Sequence, residues 1–195
     1  MVSLDDFTQI LFTEEVLQER VRSLARQIAE DYHGKTLIVL TVMKGADNFS
    51  RDLRREISRY DVATYGNVTV DLVPDMVIMS MYPHPDRQRE VPDRILGLSP
   101  DIQYEGSEVL IVEDIVDRGL TIKHLKDEVL KRSPKSIRLC SLLSKPIKRR
   151  VDVPIDYLGF EVENHFVVGY GLDFEEHYRD IPFIGILKPE IYVKN

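Results

Sequence analysis

The sequence predicts an α/β fold, a largely parallel sheet with helices on both faces. Short, continuous apolar runs rich in β-branched residues recur at residues 36–42 (TLIVLTV), 109–112 and 137–143, as expected of strands buried on both faces. Helical segments of ten or more residues alternate with them. Glycine and proline punctuate the boundaries, as at Gly34 and Ser133-Pro134.

From the N-terminus, Val16, Leu17, Val21, Leu24, Ala25 and Ile28 recur at spacings of three and four. They form one face of an amphipathic helix over 14–30, with Thr13 as N-cap and Gly34 beyond its end. The strand at 36–42 runs into the turn Met43-Lys44-Gly45-Ala46 and a helix over 47–59. Two strands follow at 68–73 and 76–81. Residues 83–107 contain Pro83, Pro85, Pro92, Gly97, Pro100 and Gly106 and read mostly as loop. After the strand at 109–112 come a polar turn and a helix over 121–131, stopped by Ser133-Pro134. The strand at 137–143 and short strands at 157–162 and 166–168 complete the pattern. No repeat or linker divides the chain, so one domain is expected over 1–195.

Composition narrows the function. The 195 residues are 43% hydrophobic and 30% charged, which suits a folded globule. A net charge of −7 argues against a nucleic-acid partner held by bulk charge. It leaves room for a small anionic substrate, because a metal ion or an arginine can reverse the sign inside one pocket. Cys140 is the one cysteine, which excludes an intrachain disulfide and fits a cytoplasmic location. The polar, acidic first residues read as no secretory signal. No apolar run approaches the roughly 20 residues that span a bilayer, so no membrane partner is expected.

The chemistry concentrates in residues 109–121, VLIVEDIVDRGLT. An apolar strand ends in adjacent carboxylates, Glu113 and Asp114, and Asp117 follows. Gly119 permits a tight turn before a helix begins near Thr121. Ligands of open α/β sheets bind beyond the carboxyl ends of the strands. Backbone N–H groups of residues 117–121 would converge at a helix N-terminus, where a phosphate fits. The carboxylates beside them suit ribose hydroxyls or a hard cation. A sugar phosphate satisfies both. Each carboxylate alone could be a solvated turn residue or an N-cap; the ordered set points to the site.

This segment resembles the phosphoribosyl-pyrophosphate motif of type I phosphoribosyltransferases. From about Leu37 to Arg179 the chain is similar to their hypoxanthine-guanine branch, with four motifs in the same order. The resemblance implies the type I fold, a small hood, and a mobile active-site loop at about 82–98. It implies that Lys44 and Gly45 form a pyrophosphate loop, with a peptide between them that can be cis. Glu113 and Asp114 would bind the ribose hydroxyls and Mg2+, and Asp117 would accept the purine N7 proton. The cradle of residues 117–121, including Arg118, Gly119, Leu120 and Thr121, would hold the 5-phosphate. Lys145 would read the 6-oxo group and Phe166 would stack on the base. Val167 would meet the ring edge through its backbone, Asp173 would reach a second Mg2+, and Arg179 would hold the pyrophosphate.

Some positions depart from the family pattern. Arg118 stands where a small residue is frequent, and Met81 precedes Tyr82 where a serine is usual. Lys148, Arg149 and Arg150 read as a solvated basic run, and His165 and His177 as surface residues. Gly169-x-Gly171 is not a dinucleotide fingerprint, because Phe174 fills the third glycine position.

The activity so implied is purine salvage: transfer of a phosphoribosyl group from phosphoribosyl pyrophosphate to N9 of hypoxanthine or guanine. The protein would be a homodimer or homotetramer. Two other readings stay open on the sequence alone: a non-catalytic nucleotide-sensing or RNA-binding regulator on the same fold, and a magnesium-dependent nucleoside phosphate hydrolase.

Overall fold

The computed structural model describes residues 2–80 and 94–193. Its main sheet contains β2 (Thr36–Met43), β3 (Asp71–Ser80), β4 (Arg94–Leu96), β5 (Glu108–Val116), β6 (Ser136–Ser144) and β7 (Tyr157–Glu161). The spatial order is β4-β3-β2-β5-β6-β7, parallel throughout except for β4 at one edge. A small antiparallel sheet, ordered β1-β9-β8, joins β1 (Phe7–Phe12), β9 (Ile184–Leu187) and β8 (Val167–Val168) and forms the hood.

Alternation along the central strands buries both faces of the large sheet. Leu37 and Val39 of β2 face one core with Leu110 and Val112 of β5, under α1 (Glu14–Asp31) and α2 (Asp47–Tyr65). Ile38, Leu40 and Val42 face the other with Val109 and Ile111, under α3 (Leu120–Leu130). Each such aliphatic side chain contributes about 1.5–3 kcal/mol when fully buried. The Thr13 hydroxyl caps α1 by accepting from the Val16 N–H.

Several elements differ from the sequence expectation. The helix expected over 47–59 continues to Tyr65 and ends at Gly66, whose φ of 77° suits a left-handed C-cap. Buried Asp61 in its last turns accepts from the N–H groups of Thr69 and Val70 through Oδ2, while its Oδ1 is buried without a partner. The two strands expected around Pro74 are one, β3. Pro74 is accommodated because β4 pairs only with Ile78–Ser80, leaving the edge beside residue 74 open. β4 itself lies in a stretch read as loop, and β1, β9 and the short helix α4 (Pro189–Tyr192) were not foreseen. Tyr82 and most of the expected active-site loop lie outside the described residues.

Candidate active site

Strand order reverses between β2 and β5. The chain leaves β2 through α2 to β3 on one side, and leaves β5 through α3 to β6 on the other. A crevice must open at such a switch point, beyond the carboxyl ends of both strands. Pairing of β5 with β2 stops at Val112, while pairing with β6 continues to Val116. Glu113 and Asp114 therefore emerge where β5 has lost one neighbour.

The turn after β2 faces these carboxylates. Its non-proline cis bond joins Met43 to Lys44, one peptide earlier than expected. A methyl group on Gly45 would lie 1.8 Å from Asp114 Oδ2, and one on Gly171 would lie 2.0 Å from the Gly45 carbonyl oxygen. Three backbone or carboxylate surfaces thus meet where no side chain fits. The Gly169 and Gly171 pair serves close packing of this kind.

Glu113 is buried, and its Oε2 has no hydrogen-bond partner. Burial, then the Asp114 carboxylate beside it, push its carboxyl well above the usual range. Burial also raises Asp114, although its Oδ1 accepts from the Ile115 N–H at 2.6 Å. Asp117 Oδ2 lies 3.7 Å from Lys148 Nζ, while its Oδ1 is buried and unpartnered.

The turn that follows is fixed from outside. The Val116 carbonyl accepts from the Lys145 N–H at 3.0 Å, and the Arg118 carbonyl from the Arg150 N–H at 3.0 Å. In a trans peptide the N–H points opposite to the carbonyl. The N–H groups of Asp117 and Gly119 therefore face away from residues 145–150, toward the open side. Gly119, with φ of 84°, is the N-cap of α3 and brings that helix's first free N–H groups to the same place.

Across the crevice lies a cluster of cations. Lys44 Nζ is 2.9 Å from Glu176 Oε2. Arg179 Nη2 is 2.8 Å from Asp173 Oδ1 and 3.3 Å from Glu176 Oε1, and its Nη1 donates to the Gly171 carbonyl at 2.8 Å. Glu176 thus bridges both cations, and they hold its carboxyl below the usual range. A cavity of about 230 Å³ opens between Lys44, Asn48, Gly171 and Arg179.

Lys145 is buried, with Nζ donating to the His165 carbonyl at 2.7 Å. Burial lowers its pKa. Phe166, next along the chain, is 37% exposed. Tyr192 stacks on it at 4.6 Å between centroids, and Phe174 meets it edge-on at 5.8 Å. Val167 follows in β8, paired with Ile186.

The family model for the phosphoribosyl transferase domain matches residues 9–175. The chain belongs to this family. It is 37% identical to the hypoxanthine-guanine phosphoribosyltransferase of Bacillus subtilis, over 96% of this chain and 97% of that protein. It is 40% identical to the bifunctional protein TilS/HprT of Listeria monocytogenes, covering 96% of this chain but only 27% of that longer protein. The hypoxanthine phosphoribosyltransferase structure from Staphylococcus aureus superposes with a TM-score of 0.84 at 32% identity, covering the whole of both chains. These relatives place the chain on the hypoxanthine-guanine branch of the phosphoribosyltransferases.

Among the residues singled out from the sequence, Lys44, Gly45, Glu113, Asp114, Asp173 and Arg179 surround the crevice, and the 117–121 turn lies at the end of the same strand. Asp173 stands apart from the acidic pair, engaged by Arg179 and by the Glu176 N–H. Among the described residues, no three His, Cys, Asp or Glu side chains converge as a metal cage. Arg149 is not a solvated residue. Its guanidinium is partly buried and bonds to Ser144 Oγ at 2.8 Å, to the Val153 carbonyl at 3.3 Å and to the Val116 carbonyl at 3.4 Å. Glu176 was missed because nothing in a local pattern marks a carboxylate that pairs with a lysine 132 positions away.

Proposed function

We propose that the chain is a purine-salvage enzyme, transferring the 5-phosphoribosyl group of phosphoribosyl pyrophosphate to N9 of hypoxanthine or guanine. The products are IMP or GMP and pyrophosphate. One observation carries this reading: two anion sites flank one buried carboxylate pair. The 117–121 turn is on one side and the Lys44–Arg179 pair on the other. A ligand with a phosphate, a sugar diol and a second phosphate group in that order suits the arrangement.

In this reading Glu113 and Asp114 hold the ribose 2- and 3-hydroxyls. Backbone donors of Asp117, Arg118, Gly119, Leu120 and Thr121 hold the 5-phosphate. Lys44, the Gly45 backbone and Arg179 take the pyrophosphate, so the negative charge that develops on the leaving group meets fixed cations. Positioning of C1 against N9 supplies much of the rate. Asp117 accepts the N7 proton as N9 attacks. Lys145 has donors to spare beyond the His165 carbonyl and gives one to the 6-oxo group. Adenine, with an amino group there, leaves that buried donor unpaired. The free face of Phe166 carries the base, and the Val167 backbone meets its edge.

The donor set fits Mg2+. Glu113 Oε2 is buried and lacks a partner, and the available ligands are hard carboxylate oxygens. Glu113 and Asp114 would hold one ion together with substrate oxygens and Asp173 would reach a second, and when bound they would neutralise pyrophosphate charge. Tyr82, which lies outside the described residues, completes the proposed set. The chain acts as one domain, in the cytoplasm, as a homodimer or homotetramer.

The test is an absorbance assay with phosphoribosyl pyrophosphate, Mg2+ and each purine in turn. Nucleotide should form from hypoxanthine or guanine and not from adenine. Absence of turnover with every 6-oxopurine would contradict the proposal.

A further inference from the structure

We infer that Arg149 is a positioning residue for the 5-phosphate cradle. This rests on the proposed function above, because it assigns a second layer behind the 117–121 turn. Arg149 lies in the strap of residues 145–151, behind that turn. Its guanidinium reaches Ser144 Oγ, Val153 O and Val116 O. Its stem lies against the back of Gly119, where an added methyl would come within 3.0 Å of Arg149 Cδ.

The physical effect follows from peptide geometry. A phosphate cradle needs its N–H groups aimed at one point, which requires the carbonyls of the same peptides to be held elsewhere. The Val116 carbonyl is held by the Lys145 N–H and by Arg149. The Arg118 carbonyl is held by the N–H groups of Arg150 and Val151. The Arg149 side chain bonds to the turn and, with Val151 and Val153, fills the space beneath it. A Gly119 conformation that no other residue adopts readily is then wedged from behind, so the turn cannot flip its peptides away from the anion. The strap also begins at Lys145. The spacing between the base-reading ammonium and the phosphate cradle is therefore set by one short piece of chain.

The experiment compares wild type with Arg149→Lys and Arg149→Met by titration calorimetry with IMP and, separately, with magnesium pyrophosphate. IMP carries the 5-phosphate; pyrophosphate occupies the Lys44–Arg179 side. We expect Arg149→Met to weaken IMP by about tenfold or more, the scale of one charge-assisted hydrogen bond. Arg149→Lys keeps a cation and should recover part of that loss. Pyrophosphate affinity should stay within about twofold, as distant independent sites do. Unchanged IMP affinity in both variants would overturn the inference. So would parallel losses for IMP and pyrophosphate, which would mark general damage. If Arg149→Met does not fold, the lysine variant alone decides on the same two ligands. Wild type binding neither ligand would overturn the proposed function instead.

Discussion

Gly45 presses its backbone against the Asp114 carboxylate so closely that a methyl group there would sit 1.8 Å from Oδ2. The turn after β2 and the acidic end of β5 are therefore one unit. Gly45→Ala should displace either the turn or the carboxylate by about an ångström, and misplacement of that order costs about 10²-fold in rate. Steady-state kcat/KM for phosphoribosyl pyrophosphate measures it; a variant with wild-type kcat/KM would show that the contact does not position the substrate.

Glu176 pairs with both Lys44 and Arg179, the two cations proposed to hold pyrophosphate. The incoming anion must displace it. Glu176→Gln should lower KM for phosphoribosyl pyrophosphate by about two- to fivefold, the scale of exposed ion pairs, with little change in melting temperature. A raised KM would mean that Glu176 instead holds Lys44 and Arg179 in place for binding.

Asp117→Asn removes the proposed proton acceptor while keeping shape and polarity. Its kcat should fall by about 10² to 10⁴, with an unchanged melting temperature. Near wild-type turnover would reduce Asp117 to a turn residue.

Lys145→Ala should raise KM for hypoxanthine by about 10- to 100-fold, the value of a hydrogen bond from a charged donor. KM for phosphoribosyl pyrophosphate should move far less. Equal shifts would show that Lys145 supports the fold of the strap and does not read the base.

The central sheet was legible because its strands are apolar on both faces, as Leu37 to Val42 show, and because turn residues bound them. The acidic turn after β5, the proposed cradle, was legible because Glu113, Asp114, Asp117 and Gly119 lie within seven consecutive residues. The hood was not. β1 and β9 are short and meet from opposite ends of the chain, so neither carries a local signal. Arg149 was misread for a related reason. A basic run looks solvated until β6 and the 116–119 turn are seen to close around its first arginine. The two expected strands around Pro74 failed on a detail of pairing, since a proline is tolerated where one edge of a strand is open.

The most direct measurement is the product stoichiometry of the purified protein with hypoxanthine, phosphoribosyl pyrophosphate and Mg2+. We expect one pyrophosphate released for each IMP formed, with both lost in excess EDTA and restored by added Mg2+. Release of inorganic phosphate without IMP, or IMP formation undiminished by EDTA, would contradict the account.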